Sequence, residues 1–245
     1  MEELPIRPSG LFWQDDFITA EHEAELIQIF REELEWPERS GGRLSLHYGY
    51  TFDYKTFGVD PDVPYKPFPE WLRPLVPEYE GRDPEQVCLQ YYPPGAGIPP
   101  HVDTHSAYDQ LYALSLGAGV LMQFSRVREG AEERSDGDGG KEGQGEGGKE
   151  EKETVEVDLT PRSMLRMSGD ARLHWTHGIR KRKTDALPDG TVRRRGDRWS
   201  ITYRWVREPA VCECGDVRLC DTAQSRAGVE RVLRWKKGDA GEGKE

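Results

Sequence analysis

The sequence contains no apolar run that approaches the roughly 20 residues needed to span a bilayer. Its first ten residues, MEELPIRPSG, lack the basic and apolar regions of a secretory signal peptide. We therefore expect no membrane association and a location in the cytoplasm or the nucleus. The four cysteines are few, and in a reducing compartment they serve more often as free thiols or metal ligands than as disulfides.

Several catalytic signatures are also absent. The chain has no P-loop pattern, and it shows no Ser/His/Asp or paired-carboxylate arrangement. These absences disfavour nucleotide-dependent phosphoryl transfer and triad hydrolysis. The chain has only six histidines, so an imidazole-based metal site has few candidate ligands.

The charge is unevenly distributed along the chain. The net charge is −11, and between Arg128 and Glu153 ten acidic residues face five basic ones, with no aromatic residue. Such a segment cannot bury enough apolar surface to fold alone. We predict one domain over residues 1–220, interrupted by a disordered, acidic and Gly-rich insertion at 127–154 and followed by a C-terminal tail at 221–245.

The apolar patterns on either side of this insertion predict one early helix and many strands. In the helix, Leu26, Ile27, Phe30 and Leu34 form an apolar stripe, and Thr19 can act as its N-cap. Alternating or short apolar runs predict strands at 44–54, 86–92, 111–124, 155–159, 163–169 and 199–206. An opening helix followed by strands without alternating helices favours a mainly β fold with flanking helices, as an antiparallel sandwich or jelly roll.

The stretch HVDTH places His101, Asp103 and His105 at alternate positions, so an extended strand would direct all three side chains to one face. Two histidines and one carboxylate can hold Fe(II) and leave coordination positions open for a cosubstrate and oxygen. His-x-Asp fits part of such a site, and His174 or His177 would have to complete it. Taken alone, the pattern also fits a surface or hydrogen-bonded pair.

Two arginines follow these histidines. Arg198 and Arg204 lie six residues apart on a predicted strand, so they face the same way. A buried guanidinium offers a rigid fork to a carboxylate, which a dicarboxylate such as 2-oxoglutarate would need. Pairing with surface acids remains the alternative for either arginine alone.

Residues 86–220 resemble the AlkB family of Fe(II)/2-oxoglutarate dioxygenases, in which His-x-Asp, a distal His, an Arg and a second Arg six residues on occur in this order. The resemblance implies a double-stranded β-helix (jelly roll) and an oxidoreductase that uses Fe(II), 2-oxoglutarate and O2. The iron ligands that it implies are His101, Asp103 and His177.

For 2-oxoglutarate, the same resemblance implies binding by Arg198 and Arg204. The family also places Asn-x-Tyr before the first histidine, in contact with 2-oxoglutarate. This chain has Gln90, Tyr91 and Tyr92 there, so Tyr92 matches and Gln90 departs from the pattern.

Within the family, the strings GIPPHVDTHSA, LSLG and WTHGI and the cluster CECGDVRLC are most similar to the tRNA wobble-uridine hydroxylase branch, AlkB homologue eight. That branch binds a structural zinc ion. The implied zinc ligands are His105, Cys212, Cys214 and Cys220. His105 would then serve a different ion from its neighbours, and free or oxidised thiols are the alternative.

A basic run from Arg180 to Arg207 contains ten basic residues and three acidic ones. A solvated loop is the usual explanation, but contacts to the phosphates of tRNA or another nucleic acid would also use such a run. The aromatic residues Tyr48, Tyr50, Phe52 and Tyr54 could cover a splayed-out base or pack in the core.

The resemblance predicts hydroxylation of 5-methoxycarbonylmethyl-uridine at the tRNA wobble position. Oxidative demethylation of alkylated DNA or RNA bases is an alternative with the same iron chemistry. A zinc-stabilised RNA-binding or scaffold protein with an inactive iron site is an alternative of another class. The family relative carries a methyltransferase module for which this chain has no room, so a separate methyltransferase is a candidate partner.

Overall fold

A computed structural model describes residues 1–38, 42–53, 58–127 and 152–229. Within these ranges, single-turn 3-10 helices occur at Arg73–Leu75 and Glu78–Glu80. The other elements, in chain order, are β1 (Glu2–Glu3), β2 (Leu11–Gln14), α1 (Ala20–Glu32), β3 (Leu44–Gly49), β4 (Phe52–Asp53), β5 (Gly58–Val59), β6 (Gln86–Tyr92), β7 (Ile98–His101), β8 (Ala107–Gly117), β9 (Val120–Val127), β10 (Lys152–Leu159), β11 (Met164–Ser168), α2 (Gly169–Leu173), β12 (Thr176–Ile179), β13 (Thr184–Ala186), β14 (Val192–Arg194), β15 (Arg198–Val206) and α3 (Asp221–Arg226).

Two antiparallel sheets carry the fold. A seven-stranded sheet has the order β1-β2-β11-β8-β15-β6-β3, and a four-stranded sheet has the order β10-β9-β12-β7. Buried side chains from both sheets, including Leu111 and Leu165 from the larger and Phe124 and Val157 from the smaller, form one hydrophobic cluster. The sheets therefore pack face to face, which confirms the predicted mainly β jelly roll.

The outer face of the larger sheet is covered by α1 and the chain around residues 68–75. Because side chains alternate along a strand, Trp199, Ile201, Tyr203 and Trp205 of β15 all join this outer core. The intervening residues of β15 face the smaller sheet instead. That leaves polar side chains on the inner face of the larger sheet, where the candidate site lies.

Helix α1 begins where the sequence predicted. Thr19 is its N-cap, and its hydroxyl accepts a hydrogen bond from the His22 backbone N–H at 3.2 Å. Leu26 and Phe30 are fully buried, whereas Leu34 lies beyond the end of the helix. Phe30 packs edge-on against Trp71 at a centroid distance of 5.0 Å.

The predicted strands differ in how closely they match. Strand β6 covers the predicted residues 86–92, whereas the run at 111–124 is two strands, β8 and β9, joined by a tight turn. At that turn Gly117 has φ +80°, and a Cβ there would lie 2.5 Å from the Asp197 carbonyl oxygen. The predicted strand at 44–54 ends at Gly49, and Tyr54 lies outside the described residues.

The predicted insertion at 127–154 is shorter than expected at both ends. Lys152 pairs with Val127, and the β9–β10 ladder runs without a break from there to the pair of Leu159 and Val120. The hydrogen-bonded ladder accounts for the order of residues 152–154. The remainder, residues 128–151, lies outside the described residues, so disorder there stays a prediction.

The first residues of the predicted C-terminal tail, 221–226, form a helix that packs against the domain. Helix α3 starts directly after Cys220, and Asp221, Thr222 and Ala223 are buried. Residues 230–245 lie outside the described residues. In the described ranges no helix combines the length and the apolar character that a bilayer crossing requires.

Replacing Phe30 should show how much the α1 interface contributes to stability. We expect Phe30→Ala to lower the free energy of unfolding by about 3–5 kcal/mol, because it leaves a cavity against Trp71 and Trp199. Glu25→Ala, an exposed position on the same helix, should stay within about 0.5 kcal/mol of the parent. Denaturant titration measures both, and equal effects would contradict this packing.

Candidate active site

The pairing of β7 with β12 brings two distant histidines together. His177 is the register partner of His101 in this antiparallel ladder, and their ring centroids lie 4.4 Å apart. Gly178, the next residue of β12, has no room for a side chain, because a Cβ would lie 2.9 Å from the Pro100 nitrogen. This close approach holds the two strands tightly at the histidine pair.

The expectation that HVDTH forms one extended strand is wrong, because only its first residue, His101, belongs to a strand. Strand β7 ends at His101, and the chain turns at His105 and Ser106. The carbonyl oxygens of Asp103 and Thr104 accept hydrogen bonds from the Arg172 side chain at 3.1 and 2.6 Å instead of joining a ladder. The turn directs His105 away from the other two side chains.

His101, Asp103 and His177 converge, with one ligand atom from each lying within 4.8 Å of the others. The distance between His177 Nε2 and Asp103 Oδ2 is 3.6 Å. His101 Nδ1 lies 2.9 Å from the Pro99 carbonyl oxygen, which can only accept, so Nδ1 is the donor in this contact and Nε2 is the nitrogen left for a metal ion. Of the two candidates for the distal histidine, the structure brings His177 to this cluster and pairs His174 with Asp216.

The electrostatics of this cluster suit a cation. Burial, followed by the proximity of His101, lowers the pKa of His177 to about 3, so its imidazole is neutral at pH 7. Burial alone would raise the pKa of Asp103. The positive charge of Arg204 and of other neighbours outweighs that effect, so the pKa of Asp103 lies well below its usual value. A neutral His177 and an ionised Asp103 are in the protonation states that a metal ion requires of its ligands.

On the inner face of the larger sheet, Arg198 lines a pocket together with Tyr92, Ala96 and Ile179. Arg198 is buried, and its Nη2 donates to Ser115 Oγ at 2.7 Å. Its Nε and Nη1 are buried and have no hydrogen-bond partner among the described residues. Burial lowers the pKa of Arg198 to about 10, yet the group stays charged at pH 7. A buried cation with two unused donors fits an anionic ligand such as a carboxylate.

The other predicted 2-oxoglutarate residues have different surroundings. Tyr92 lies beneath Arg198, with the guanidinium carbon 5.2 Å from the ring centroid. Arg204 donates to Asp103 Oδ1 at 2.9 Å and to Gln86 Oε1 at 3.3 Å, so it supports the Asp103 carboxylate directly. Arg198 and Arg204 do share one face of β15, as predicted.

The amide of Gln90 is already engaged within its own strand. Its Oε1 accepts from the Tyr92 hydroxyl at 2.6 Å, and its Nε2 donates to Cys88 Sγ at 3.5 Å. Cys88 is buried. Direct contact of Gln90 with 2-oxoglutarate stays a prediction.

A second cluster joins His105 to the three cysteines of the C-terminal segment. One ligand atom each from His105, Cys212, Cys214 and Cys220 lies within 4.8 Å of the others. The distance between His105 Nδ1 and Cys214 Sγ is 3.4 Å, close to the ~3.5 Å between a nitrogen and a sulfur ligand on a zinc tetrahedron. Burial raises the pKa of Cys214 to about 12, so packed thiols of this kind become thiolates only with a cation among them. The donor set therefore fits zinc.

Sequence reasoning missed two buried charged residues near these clusters. Arg172 of α2 binds the segment between them, and Asp221 accepts a hydrogen bond from the His105 backbone N–H at 3.1 Å. Both contacts join residues more than 65 positions apart along the chain. Such pairs leave no periodic or spacing signal in a sequence.

Much of the basic run between residues 180 and 207 is paired internally. Arg182 and Arg195 both bind Asp185, which is fully buried, and Arg193 binds Asp158. The members of the run that are exposed are Arg180, Lys181, Lys183 and Arg194. The first three come after Ile179, the last residue of β12. They therefore continue from the end of the strand that points away from His177. The run is thus less available to phosphates than its composition indicated.

The comparison with known families settles what kind of protein this is. A family model described as the 2OG-Fe(II) oxygenase superfamily matches residues 10–204. The chain belongs to the 2OG-Fe(II) oxygenase superfamily. It is a dioxygenase of the non-haem iron type, and Fe(II), 2-oxoglutarate and O2 are what its family implies. An RNA-binding or scaffold protein without enzyme activity does not fit this membership.

Two curated relatives place the chain near AlkB homologue eight. It is 33% identical over 253 residues to the Xenopus tropicalis protein "tRNA (carboxymethyluridine(34)-5-O)-methyltransferase alkbh8", covering 91% of this chain and 35% of that protein. It is also 33% identical over 226 residues to the Arabidopsis thaliana "Alkylated DNA repair protein ALKBH8 homolog", covering 88% of this chain and 63% of that protein. The chain thus spans about a third of the length of the first relative and under two thirds of the second.

A solved structure agrees on the fold. The structure of OsALKBH1 superposes with a TM-score of 0.53 at 16% identity, covering 83% of this chain and 100% of the other. This likeness supports the jelly roll seen in the two sheets.

Each cluster should lose its own metal ion when one of its ligands is replaced. We expect Asp103→Ala to weaken Mn(II) binding at the histidine cluster at least ~100-fold, because the site loses its only carboxylate, while zinc content is unchanged. Cys214→Ser should lower zinc content. Elemental analysis and Mn(II) titration measure both, and loss of both metals in Asp103→Ala with the fold intact would contradict two independent ligand sets.

Proposed function

We propose that the chain hydroxylates a modified wobble uridine, 5-methoxycarbonylmethyl-uridine, in tRNA. The observation that carries this proposal is the identity of 33% across about 90% of the chain to a protein named for carboxymethyluridine 34 of tRNA. The second cluster, formed by His105 and three cysteines beside the histidine cluster, also supports membership of that branch.

In this proposal His101, Asp103 and His177 hold Fe(II), and the bound metal with 2-oxoglutarate and O2 supplies the oxidation. Arg198 binds the remote carboxylate of 2-oxoglutarate with its unused Nε and Nη1 donors, and Tyr92 lies beside it. Arg204 keeps the Asp103 carboxylate ionised and oriented. A Cys3His zinc site, with His105, Cys212, Cys214 and Cys220 as ligands, ties the C-terminal segment to the jelly roll.

A cleft beside Asp103 supports a nucleic-acid substrate. Its lining includes Tyr50, Val59, Thr104 and Arg204. Tyr50 is 42% exposed and meets the equally exposed Tyr65 at a centroid distance of 4.8 Å. Exposed aromatic faces at a cleft can stack on an unpaired base. Tyr48, in contrast, is buried and packs against Trp71, so it belongs to the core.

Oxidative demethylation of an alkylated base is the second candidate. It uses the same metal and cosubstrate residues, and the name of the Arabidopsis relative refers to alkylated DNA repair. The two activities differ in their products, since demethylation releases formaldehyde and hydroxylation leaves the oxygen on the nucleoside.

A separate methyltransferase is a reasonable partner in this proposal. The named activity of the Xenopus relative is methyl transfer, and this chain covers 35% of that protein. An esterified carboxymethyl group is the product of such a transfer and the feature of the proposed substrate. Co-purification would test a physical association, whereas sequential action needs none.

The decisive experiment supplies the enzyme with Fe(II), 2-oxoglutarate and tRNA from cells that lack wobble-uridine hydroxylation. We expect nucleoside mass spectrometry to show one added oxygen on 5-methoxycarbonylmethyl-uridine. Asp103→Ala serves as the inactive control. Formaldehyde release from methylated oligonucleotides with unchanged tRNA would favour demethylation, and succinate formation without either product would rule out both substrates.

Replacing Arg198 should separate cosubstrate binding from metal binding. We expect Arg198→Met to weaken 2-oxoglutarate binding about 100-fold or more, since each charge-assisted hydrogen bond contributes about 1.5–3 kcal/mol, while Mn(II) affinity stays the same. Arg166→Met, which removes a guanidinium stacked on Phe12, should not change 2-oxoglutarate binding. Calorimetric titration in the presence of Mn(II) measures the affinities, and unchanged binding in Arg198→Met would reject this role.

A further inference from the structure

Residues 103–105 join the two candidate metal clusters through a single intervening residue. Asp103 belongs to the histidine cluster and His105 to the cysteine cluster. We propose that the two sites are energetically coupled through Thr104, with Arg172 and Asp221 as positioning residues that hold this short segment. The proposal rests on the proposed metal ligands, but it is independent of the identity of the substrate.

Arg172 holds the segment from the side of α2. Its side chain is 2% exposed, and its Nη1 and Nη2 donate to the consecutive carbonyl oxygens of Asp103 and Thr104 at 3.1 and 2.6 Å. Two donors on one planar group that reach adjacent carbonyls restrict the rotation of the peptide between them. The direction in which Asp103 leaves the backbone therefore depends on Arg172.

Asp221 holds the same segment from the side of α3. It is 1% exposed, its Oδ1 accepts from the His105 backbone N–H at 3.1 Å, and its Oδ2 accepts from the Thr104 hydroxyl. Asp221 directly follows Cys220, whose sulfur caps α3 by accepting from the Ala223 N–H at 3.4 Å. The position of Asp221 thus depends on a zinc-ligand candidate.

These contacts form a short path between the clusters. Binding of a cation by Cys220 and its partners fixes the start of α3, and Asp221 then fixes Thr104 and His105. Arg172 extends the same restraint to Asp103. Because coupling between two binding sites is reciprocal, occupancy of the zinc site should raise the affinity of the iron site, and the reverse should hold as well.

Neither positioning residue replaces a ligand. Arg172 and Asp221 act on backbone groups and on one hydroxyl, so a variant can keep every proposed ligand of both ions. Partners that orient metal ligands in this way typically change metal affinity about 10- to 100-fold when they are removed. The proposal therefore predicts a loss at the iron site from substitutions that touch no iron ligand.

The experiment titrates Mn(II) into zinc-loaded protein and follows the free Mn(II) signal by electron paramagnetic resonance. We expect Arg172→Met and Asp221→Ala each to weaken Mn(II) binding about 10-fold or more while elemental analysis still finds zinc. Asp221→Asn, which keeps an acceptor for the His105 N–H, should recover much of the affinity.

Arg195→Met is the matched control for a buried arginine. Arg195 also donates to two backbone carbonyls, those of Ala96 and Arg180 at 3.4 and 2.7 Å, but it lies away from residues 103–105. Its loss should lower thermal stability without changing Mn(II) affinity. A fall in Mn(II) affinity of similar size in this control would assign the effect to general destabilisation and overturn the proposal.

A second titration tests the coupling itself. Removal of zinc with a chelator should weaken Mn(II) binding by the parent protein, and it should weaken binding by Asp221→Ala less, because the path is already broken. Mn(II) affinities within twofold of the parent in both zinc-loaded variants would overturn the coupling while leaving the ligands intact. If the parent protein fails to bind Mn(II), the assignment of the iron ligands is rejected, and the proposed coupling is rejected with it.

Discussion

The contact between Arg204 and the Asp103 carboxylate holds the two halves of the candidate site together. Arg204 lies on β15 of the larger sheet, whereas Asp103 follows β7 of the smaller one. A buried carboxylate is costly unless a cation and hydrogen bonds compensate its lost hydration. One oxygen of Asp103 meets Arg204 and the other faces His177. A charged side chain of the larger sheet therefore contacts and stabilises a candidate ligand that follows a strand of the smaller one.

The sequence predicted correctly those helices and strands whose residues follow a regular apolar pattern over a short stretch. Strand β6 and helix α1 with its Thr19 cap follow from side-chain alternation and capping chemistry. The alternation in β15 also separated the apolar outer face from the polar inner face, which is why Arg198 and Arg204 could be assigned to one face of the strand. The spacing of His101 and Asp103, with a distal histidine, marked a metal cluster that the structure does bring together.

The errors arose where distant contacts override the local pattern. Alternation in HVDTH predicts one strand, but Arg172, about 70 residues away in sequence, takes the carbonyl groups that a ladder would have used. The basic run looked like a surface for phosphates, yet buried Asp185 binds two of its arginines. Spacing alone left His174 and His177 open as the distal histidine; the family resemblance implied His177, and the register of β12 against β7 brings that residue to the cluster. None of these pairings has a signature within a window of ten or twenty residues.

The β9–β10 ladder has a consequence for changes in chain length. Its last described pair is Val127 with Lys152, so the two ends of the connection between them are held side by side by the ladder. Once the ends of a loop are held together, each doubling of its length costs only about 0.6 kcal/mol in entropy. Residues 101–105 are the opposite case, because one added or deleted residue would change which side chain reaches which of the two clusters. An epitope tag or fluorescent reporter therefore belongs between Val127 and Lys152, where the register of both sheets would survive it.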